Sequence, residues 1–501
     1  LKFKNLAATY FSVVLASVIG FFVIPIQVKL MGIDAYGLLA FFTSLQTWFN
    51  LIDFGFSTTI SRDASQIKSS AMCEGSFSGF YWFVKLASLV VGVLILLLTL
   101  LFFVSSDVSS IPIFSVLSID QIKVTIFFGV TTLWLRWLIL QERAVMYGLG
   151  ELVLLSKVSC FFILMRYVVV LLPLMYVSNK VIFYFSYSLC VSLLECSFLV
   201  ILSIKQLPFL RLLPRSINFK FIVERLPFAA SSSLIFLSWT VATQAPNFLL
   251  AKTFSSSGYG LLAMVTFVAH SILVISAPVS TLAKPIFVNS FVRGLFEEMF
   301  SAYCWLSEIV MAICGSVAIT LLSFPTEFIY AWTHNLDLAH RGSSLLIVSV
   351  IGYFGLSIGQ FANNVSFSVG RNTAQLVATA LYACSVVILL SIYQLESQEL
   401  FIFRVWSLLS VLYGLACVFI NFAHFEGLKP LHWLTLHFFK MFFVPLLATL
   451  SLAYFVGSVS SYRSSLATVA VVSISVALYI LLQSSFLRER LFAQFKSAFG
   501  T

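Results

Sequence analysis

Seven ionisable side chains stand inside long apolar runs: Asp53, Lys85, Arg136, Arg166, Glu195, His270 and Glu308. In hydrocarbon such a group costs about 3 kcal/mol or more, so it turns toward a cavity, a partner or the nearest interface. Asp53 has a side chain too short to reach an interface. A carboxylate placed there can bind a proton or a sodium ion and change charge as it does so. The cations have two competing readings. Arg136, between Trp134 and Trp137, and Lys85 either snorkel to the membrane surface or face a cavity or a partner. Arg166 and Glu195 can instead neutralise one another across neighbouring helices. A second group of cations, Lys29, Arg62, Lys252 and Lys284, falls at the ends of apolar runs, where cations commonly snorkel to headgroups.

Other chemistries leave no pattern. There is no D-x-D pair for a nucleotide-sugar metal and no G-K-[ST] for a phosphate-binding loop. His432 and His437 stand five apart without H-E-x-x-H, so no metal is expected. The eight cysteines have no C-x-x-C spacing, and neither a disulfide nor a cofactor is expected.

The elements that must hold these residues follow from composition. Of 501 residues, 60% are hydrophobic and only 10% charged, with a mean hydropathy of +1.04. Soluble domains carry about a quarter charged residues, so this chain cannot dress a water-facing surface. A soluble enzyme, a disordered chain, a coiled coil and a nucleic-acid-binding domain are excluded; the net charge of +10 is scattered through loops, and nucleic acid is not an expected partner. Continuous runs such as 89–104 exclude an outer-membrane barrel, whose strands alternate. At about 20 residues per crossing, the chain accommodates roughly fourteen helices. Spans are expected near 6–28, 36–60, 77–104, 122–142, 151–177 and 181–204, then 227–251, 259–283, 300–322, 344–369, 375–394 and 403–423, and finally 435–455 and 465–485. The first run is too long for a cleaved signal segment of about 7 to 15 apolar residues and is expected to stay as a membrane helix.

Sorting the connecting segments into alternate sets puts Lys and Arg more than two to one on one side. That side is expected to be cytoplasmic, together with both termini and the basic stretch holding Lys205, Arg211, Arg215, Lys220 and Arg225. An internal repeat gives the organisation: Tyr36-Gly37-Leu38-Leu39-Ala40 recurs as Tyr259-Gly260-Leu261-Leu262-Ala263, 223 residues later. Val18 and Val241, Lys29 and Lys252, and Thr43 and Thr266 match in the same register. Six helices separate the copies, an even number, so both halves enter the membrane in one orientation. The expected fold is an all-α polytopic membrane protein: an N-lobe over 1–204, a cytoplasmic linker over 205–226, a C-lobe over 227–423 and two further helices with a tail over 424–501. The six-helix lobes are expected to be related by a parallel pseudo-two-fold axis. Pro25 and Pro246 interrupt the lead helices of the two copies, as gating bends or as packing kinks.

The segment "KLMGIDAYGLLAFFTSLQTWFNLIDFGFSTTISRDAS" and its second copy "AKTFSSSGYGLLAMVTF" resemble the polysaccharide-transporter branch of the multidrug/oligosaccharidyl-lipid/polysaccharide exporter (MOP) superfamily, and within it the Wzx-type O-antigen flippases. The likeness lies in Gly32 to Gly37 opening the second helix, in Leu51, Asp53 and Gly55, and in Arg62 ending that helix. It covers the whole chain in topology and about the first seventy residues in motif. The resemblance implies a non-enzyme of the bacterial inner membrane that moves an undecaprenyl-pyrophosphate-linked oligosaccharide to the periplasmic leaflet by alternating access. It implies coupling to a proton or sodium gradient at Asp53, and membrane lipids and polysaccharide-assembly proteins as partners. The phosphates of such a substrate need positive charge on their path, which Arg62 and Lys284 at the inner ends, Lys29 and Lys252 at the outer ends, and Arg136 and Arg166 between them are placed to supply. The second copy has Ser276 where Asp53 would recur, so coupling through Asp53 would be one-sided. Two rivals stay open: an ion-coupled drug exporter of the same superfamily, and a membrane O-antigen polymerase or glycosyltransferase, which the short external loops disfavour.

Overall fold

A computed structural model describes residues 3–49, 53, 55–68, 73–105, 117–211, 223, 234, 236–247, 254–369, 373–393, 399–422, 442–457, 471, 474–476 and 478–479. Every regular element among them is helical, and nine helices are long and apolar enough to cross a bilayer. The chain divides into two compact units, Leu1–Gly260 and Leu261–Thr501, so the boundary falls inside the second repeat copy. The expected linker, 205–226, and the span expected at 465–485 lie largely outside the described residues, as does about half of the span expected at 227–251.

The first unit holds α1 (Phe3–Met31), α2 (Ile33–Phe49), α3 (Phe56–Lys68), α4 (Glu74–Ser105) and α5 (Ile119–Gly148). It continues with α6 (Leu152–Ile163), a π-helical stretch (Leu164–Val169), the short α7 (Leu171–Leu174) and α8 (Lys180–Gln206). α5 packs along α8 and α3, and α1 along α6. Long apolar runs make these helices because the backbone in lipid must satisfy its own hydrogen bonds. The single span expected at 36–60 is corrected. Gly55 has φ +73°, outside the right-handed helical region, and α3 begins after it. Asp53 caps that second half: Ser57 N–H donates to its Oδ2 and Ser57 Oγ–H to its Oδ1, both at 2.8 Å. Hydropathy sees only an apolar run; the carboxylate, the glycine and the serine make the new helix start.

Ile60 and Ala64 of α3, Phe77, Phe80 and Val84 of α4 and Val145 of α5 form a closed core. Leu207 and Leu210, where the chain leaves α8, are buried in the same core. The first unit also takes in the first turn of α9 (Ser256–Val292). Here the two copies of the Tyr-Gly motif cross. A Cβ on Gly37 would run into the Ser256 carbonyl, and one on Gly260 into the Ile33 carbonyl. Residues 33 and 256, like 37 and 260, stand 223 apart in the repeat register, so the close approach is reciprocal. Ser256 Oγ–H also donates to Asp34 Oδ1 at 2.9 Å, and Tyr259 O–H to Ser44 Oγ at 3.2 Å.

The second unit contains the rest of α9, α10 (Phe296–Val310), a π-helical stretch (Met311–Gly315), α11 (Ser316–Ser323) and the nine-residue α12 (Pro325–Thr333). α13 (Leu336–Val369), α14 (Thr373–Tyr393), α15 (Glu399–Phe422) and α16 (Val444–Gly457) follow. α13 and α15 run side by side through small residues, with Gly355 and Gly359, four apart, against Gly414. That is how helices approach closely in lipid, where packing replaces the hydrophobic effect. α12, in a segment expected to be an external loop, packs on α13.

Candidate functional site

The buried charge of the first unit is gathered in two adjoining networks. In the first, Lys85 on α4 does not snorkel: its Nζ lies 2.7 Å from Glu142 Oε1 on α5, and Glu142 is fully buried. Tyr81 O–H donates to the same carboxylate oxygen at 2.7 Å, one helical turn before Lys85. One α5 residue earlier, Gln141 Nε2–H donates to Ser88 Oγ at 2.6 Å. Asp53 sits beside this network, buried, and accepts from Trp137 Nε1–H at 3.2 Å as well as from Ser57. Its carboxylate thus carries three donors and already has a structural task.

The second network is built on Glu195 of α8, which is 1% exposed. Arg143 of α5 reaches its Oε1 at 2.6 Å, and Arg166 reaches its Oε2 at 2.8 Å. The pairing of Arg166 with Glu195 that the sequence allows is therefore made, and Arg143, expected in a cytoplasmic loop, joins it because α5 runs on to Gly148. The widened turn that carries Arg166 is held by α8, whose Tyr187 O–H donates to the Met165 carbonyl at 2.7 Å. Such π-helical stretches often mark functional positions. Arg136 lies within electrostatic reach of Arg166, Glu195, Tyr167 and Tyr184. Its guanidinium bonds the Gln46 side-chain oxygen on α2, so it serves the interior rather than the interface. Two guanidiniums thus share one carboxylate, with that of Arg136 within electrostatic reach of it. The Nε–H groups of Arg136, Arg143 and Arg166 are buried without a hydrogen-bond acceptor. An arrangement with surplus positive charge and idle donors is suited to an anion with several oxygens.

The remaining candidates are dispersed. Lys29 is exposed in the last turn of α1, and Arg62 on α3 pairs with the buried Asp63 at 3.1 Å. Lys284 belongs to α9, but its side chain and the whole of Lys252 lie outside the described residues. Pro25 is inside α1, which continues through it as one helix, and Pro246 is inside helical residues 236–247. In the second unit, His270 stands edge-on to Tyr353, and Glu308 is buried. The polar groups of that unit are mostly neutral: Ser366 and Asn363 with Asn421, and Gln375 and Thr379 with Tyr413. No group of three metal-ligating side chains occurs among the described residues.

Sequence reasoning missed Arg143 and Glu142 as functional candidates, and with them Gln27, Gln46 and Tyr81. The adjacent Gln141-Glu142-Arg143 reads as the polar end of a helix; only the register of α4 and α8 against α5 shows that all three are engaged inside the unit.

Solved structures share this architecture. The chain is similar to the lipid II flippase MurJ in an inward closed conformation, with 15% identity and a TM-score of 0.74, over 97% of this chain and 99% of that one. It is similar to an inward-facing multidrug resistance MATE family transporter of the MOP superfamily, with 11% identity and a TM-score of 0.61, over 85% of this chain and 98% of that one. The chain has the fold of the MOP-superfamily transporters. A MOP superfamily transporter from Pyrococcus furiosus, described by the reverse polarity of its binding pocket, matches with 12% identity and a TM-score of 0.53, over 85% of this chain and 98% of that one. No family model matches the sequence, and no curated protein does.

Proposed function

We propose that the chain is a flippase, not an enzyme, for an oligosaccharide joined to undecaprenyl by pyrophosphate, carrying it from the cytoplasmic to the periplasmic leaflet of the bacterial inner membrane by alternating access. The observation that carries this reading is the surplus of half-buried guanidinium in the first unit: Arg136, Arg143 and Arg166 against the single carboxylate of Glu195. The lipid tail can stay in the bilayer during transfer, but the phosphates cannot cross hydrocarbon without compensation. Guanidinium forks match phosphate oxygens and are weakly hydrated, so they suit that task better than ammonium groups do. A drug exporter has no general need for such a surplus. Similarity to a lipid II flippase along nearly the whole chain supports the same reading, since the MATE transporters match 85% of it.

In this proposal Arg62 and Lys284 receive the pyrophosphate at the inner side, Arg136 and Arg166 hold it, and Lys29 and Lys252 meet it at the outer side. Pro25 and Pro246 supply bends for gating. Asp53 takes up the coupling proton or sodium ion, which competes with Ser57 and Trp137 for its oxygens.

Deletion of the gene tests this. Complete lipid-linked repeat units are expected to accumulate in the cytoplasmic leaflet, and Arg136→Ala or Arg166→Ala, present in the membrane at normal level, is expected not to restore export. Normal surface polysaccharide together with drug sensitivity in the deletion strain would refute the flippase and favour the exporter.

A further inference from the structure

The Glu195 carboxylate presents one oxygen to each of two guanidiniums, Arg143 at 2.6 Å and Arg166 at 2.8 Å, which is how a phosphate bridges two arginines. Its burial is nearly complete, yet the two cations are unequal: the Arg166 side chain is 11% exposed and the Arg143 side chain 28%. Arg136 is near enough to feel both Arg166 and Glu195, but a neutral amide, Gln46, is the acceptor of its hydrogen bond. The cluster therefore contains one anion of its own where its three cations could take more.

We propose that Glu195 stands in for one phosphate of the substrate, holding Arg166 in the unloaded protein and yielding it on loading while it keeps Arg143, so that its release sets the affinity of the site while the spare guanidinium of Arg136 sets the preference for pyrophosphate over monophosphate. The inference rests on the flippase reading above. A phosphate diester brings a single ionised oxygen. On Arg166 it exchanges one monoanion for another and leaves half of Glu195 buried without its partner, so little is gained. A pyrophosphate diester carries an ionised oxygen on each phosphate. One replaces Glu195 on Arg166, and the second goes to Arg136, a contact that Glu195 does not make. The cost of releasing Glu195 is thus common to both ligands, and only one with two phosphates adds the contact with Arg136. The neighbouring Lys85–Glu142 pair is internally matched and adds no charge to the exchange.

The probes are two synthetic lipids with the same tail and sugar, farnesyl-pyrophosphoryl-N-acetylglucosamine and farnesyl-phosphoryl-N-acetylglucosamine, bound to the full-length protein in nanodiscs. A charge-assisted hydrogen bond is worth about 10-fold or more in affinity. The unchanged protein is expected to prefer the pyrophosphoryl probe by that factor. Glu195→Gln removes the release cost common to both probes, so it is expected to tighten both by about 10-fold and leave their ratio unchanged, whereas Arg136→Ala is expected to bring the ratio toward one. Glu195→Asp keeps the charge, but its shorter side chain cannot span both arginines, so a smaller tightening of both probes is expected; this variant carries the test if Glu195→Gln does not fold. Unchanged or weakened binding of both probes in the Glu195 variants would overturn the exchange and leave Glu195 a purely structural counter-ion. If Arg136→Ala and Arg166→Ala leave both probes unaffected, the failure belongs to the flippase site itself.

Discussion

Replacing Lys85 by methionine removes the only cation on Glu142 and leaves a fully buried carboxylate with the Tyr81 hydroxyl as its remaining donor. Breaking a buried ion pair from one side costs about 3–5 kcal/mol, because the surviving charge keeps its desolvation penalty. In a bilayer the denatured chain also finds partners for its polar groups, which moves the expectation to the lower end, about 3 kcal/mol. Glu142→Gln strands the Lys85 ammonium, whose other acceptor is the Leu138 carbonyl at a long 3.4 Å, and is expected to cost about 2–3 kcal/mol. The two changes together remove both charges, while a glutamine oxygen still accepts from Tyr81. The double variant is then expected to cost only about 1–2 kcal/mol, a coupling of about 4 kcal/mol. The assay is equilibrium unfolding of the purified protein in mixed micelles, followed by circular dichroism for the four members of the cycle. Additivity within about 0.5 kcal/mol would refute the pairing of α4 with α5 through these side chains.

Asp53 separates a structural from a coupling role. Asp53→Ala is expected to cost about 1 kcal/mol through loss of the α3 cap, whereas Asp53→Asn keeps a capping oxygen, leaves unfolding nearly unchanged and abolishes transport; full transport by Asp53→Asn would remove the residue from coupling. Gly37→Ala sets a methyl against the Ser256 backbone carbonyl and is expected to destabilise the protein by about 1–3 kcal/mol in the same unfolding assay. Gly75→Ala, with open space around it, is the control and should change stability little.

What the sequence reveals here depends on whether the physical cause is local. Apolar runs of bilayer length are local, and α4, α5, α8, α13, α14 and α15 begin and end within a few residues of the expected spans, apart from extensions at the C-terminal end of α5 and the N-terminal end of α13. The break between α2 and α3 is local too, but its cause is an Asp-x-Gly-x-Ser cap inside an apolar run, a signal that hydropathy averages away. The π-helical turn at Arg166 leaves no comparable mark, because an extra residue in a turn is settled by what packs on it, here Tyr187.

Charge is the least local property of all. Six of the residues in the two networks, Lys85, Arg136, Glu142, Arg143, Arg166 and Glu195, are visible in the sequence as ionisable side chains in or beside apolar segments. Whether each is a spare cation, a satisfied pair or a stranded anion depends on register between helices more than fifty residues apart, as for Lys85 with Glu142 and Arg143 with Glu195. Listing buried cations one by one makes Lys85 and Arg166 alike. Subtracting the pairs removes Lys85 with Glu142 as a neutral unit and leaves the arginines with a surplus. It is that remainder, rather than the number of basic residues in the chain, that a substrate's phosphates can use.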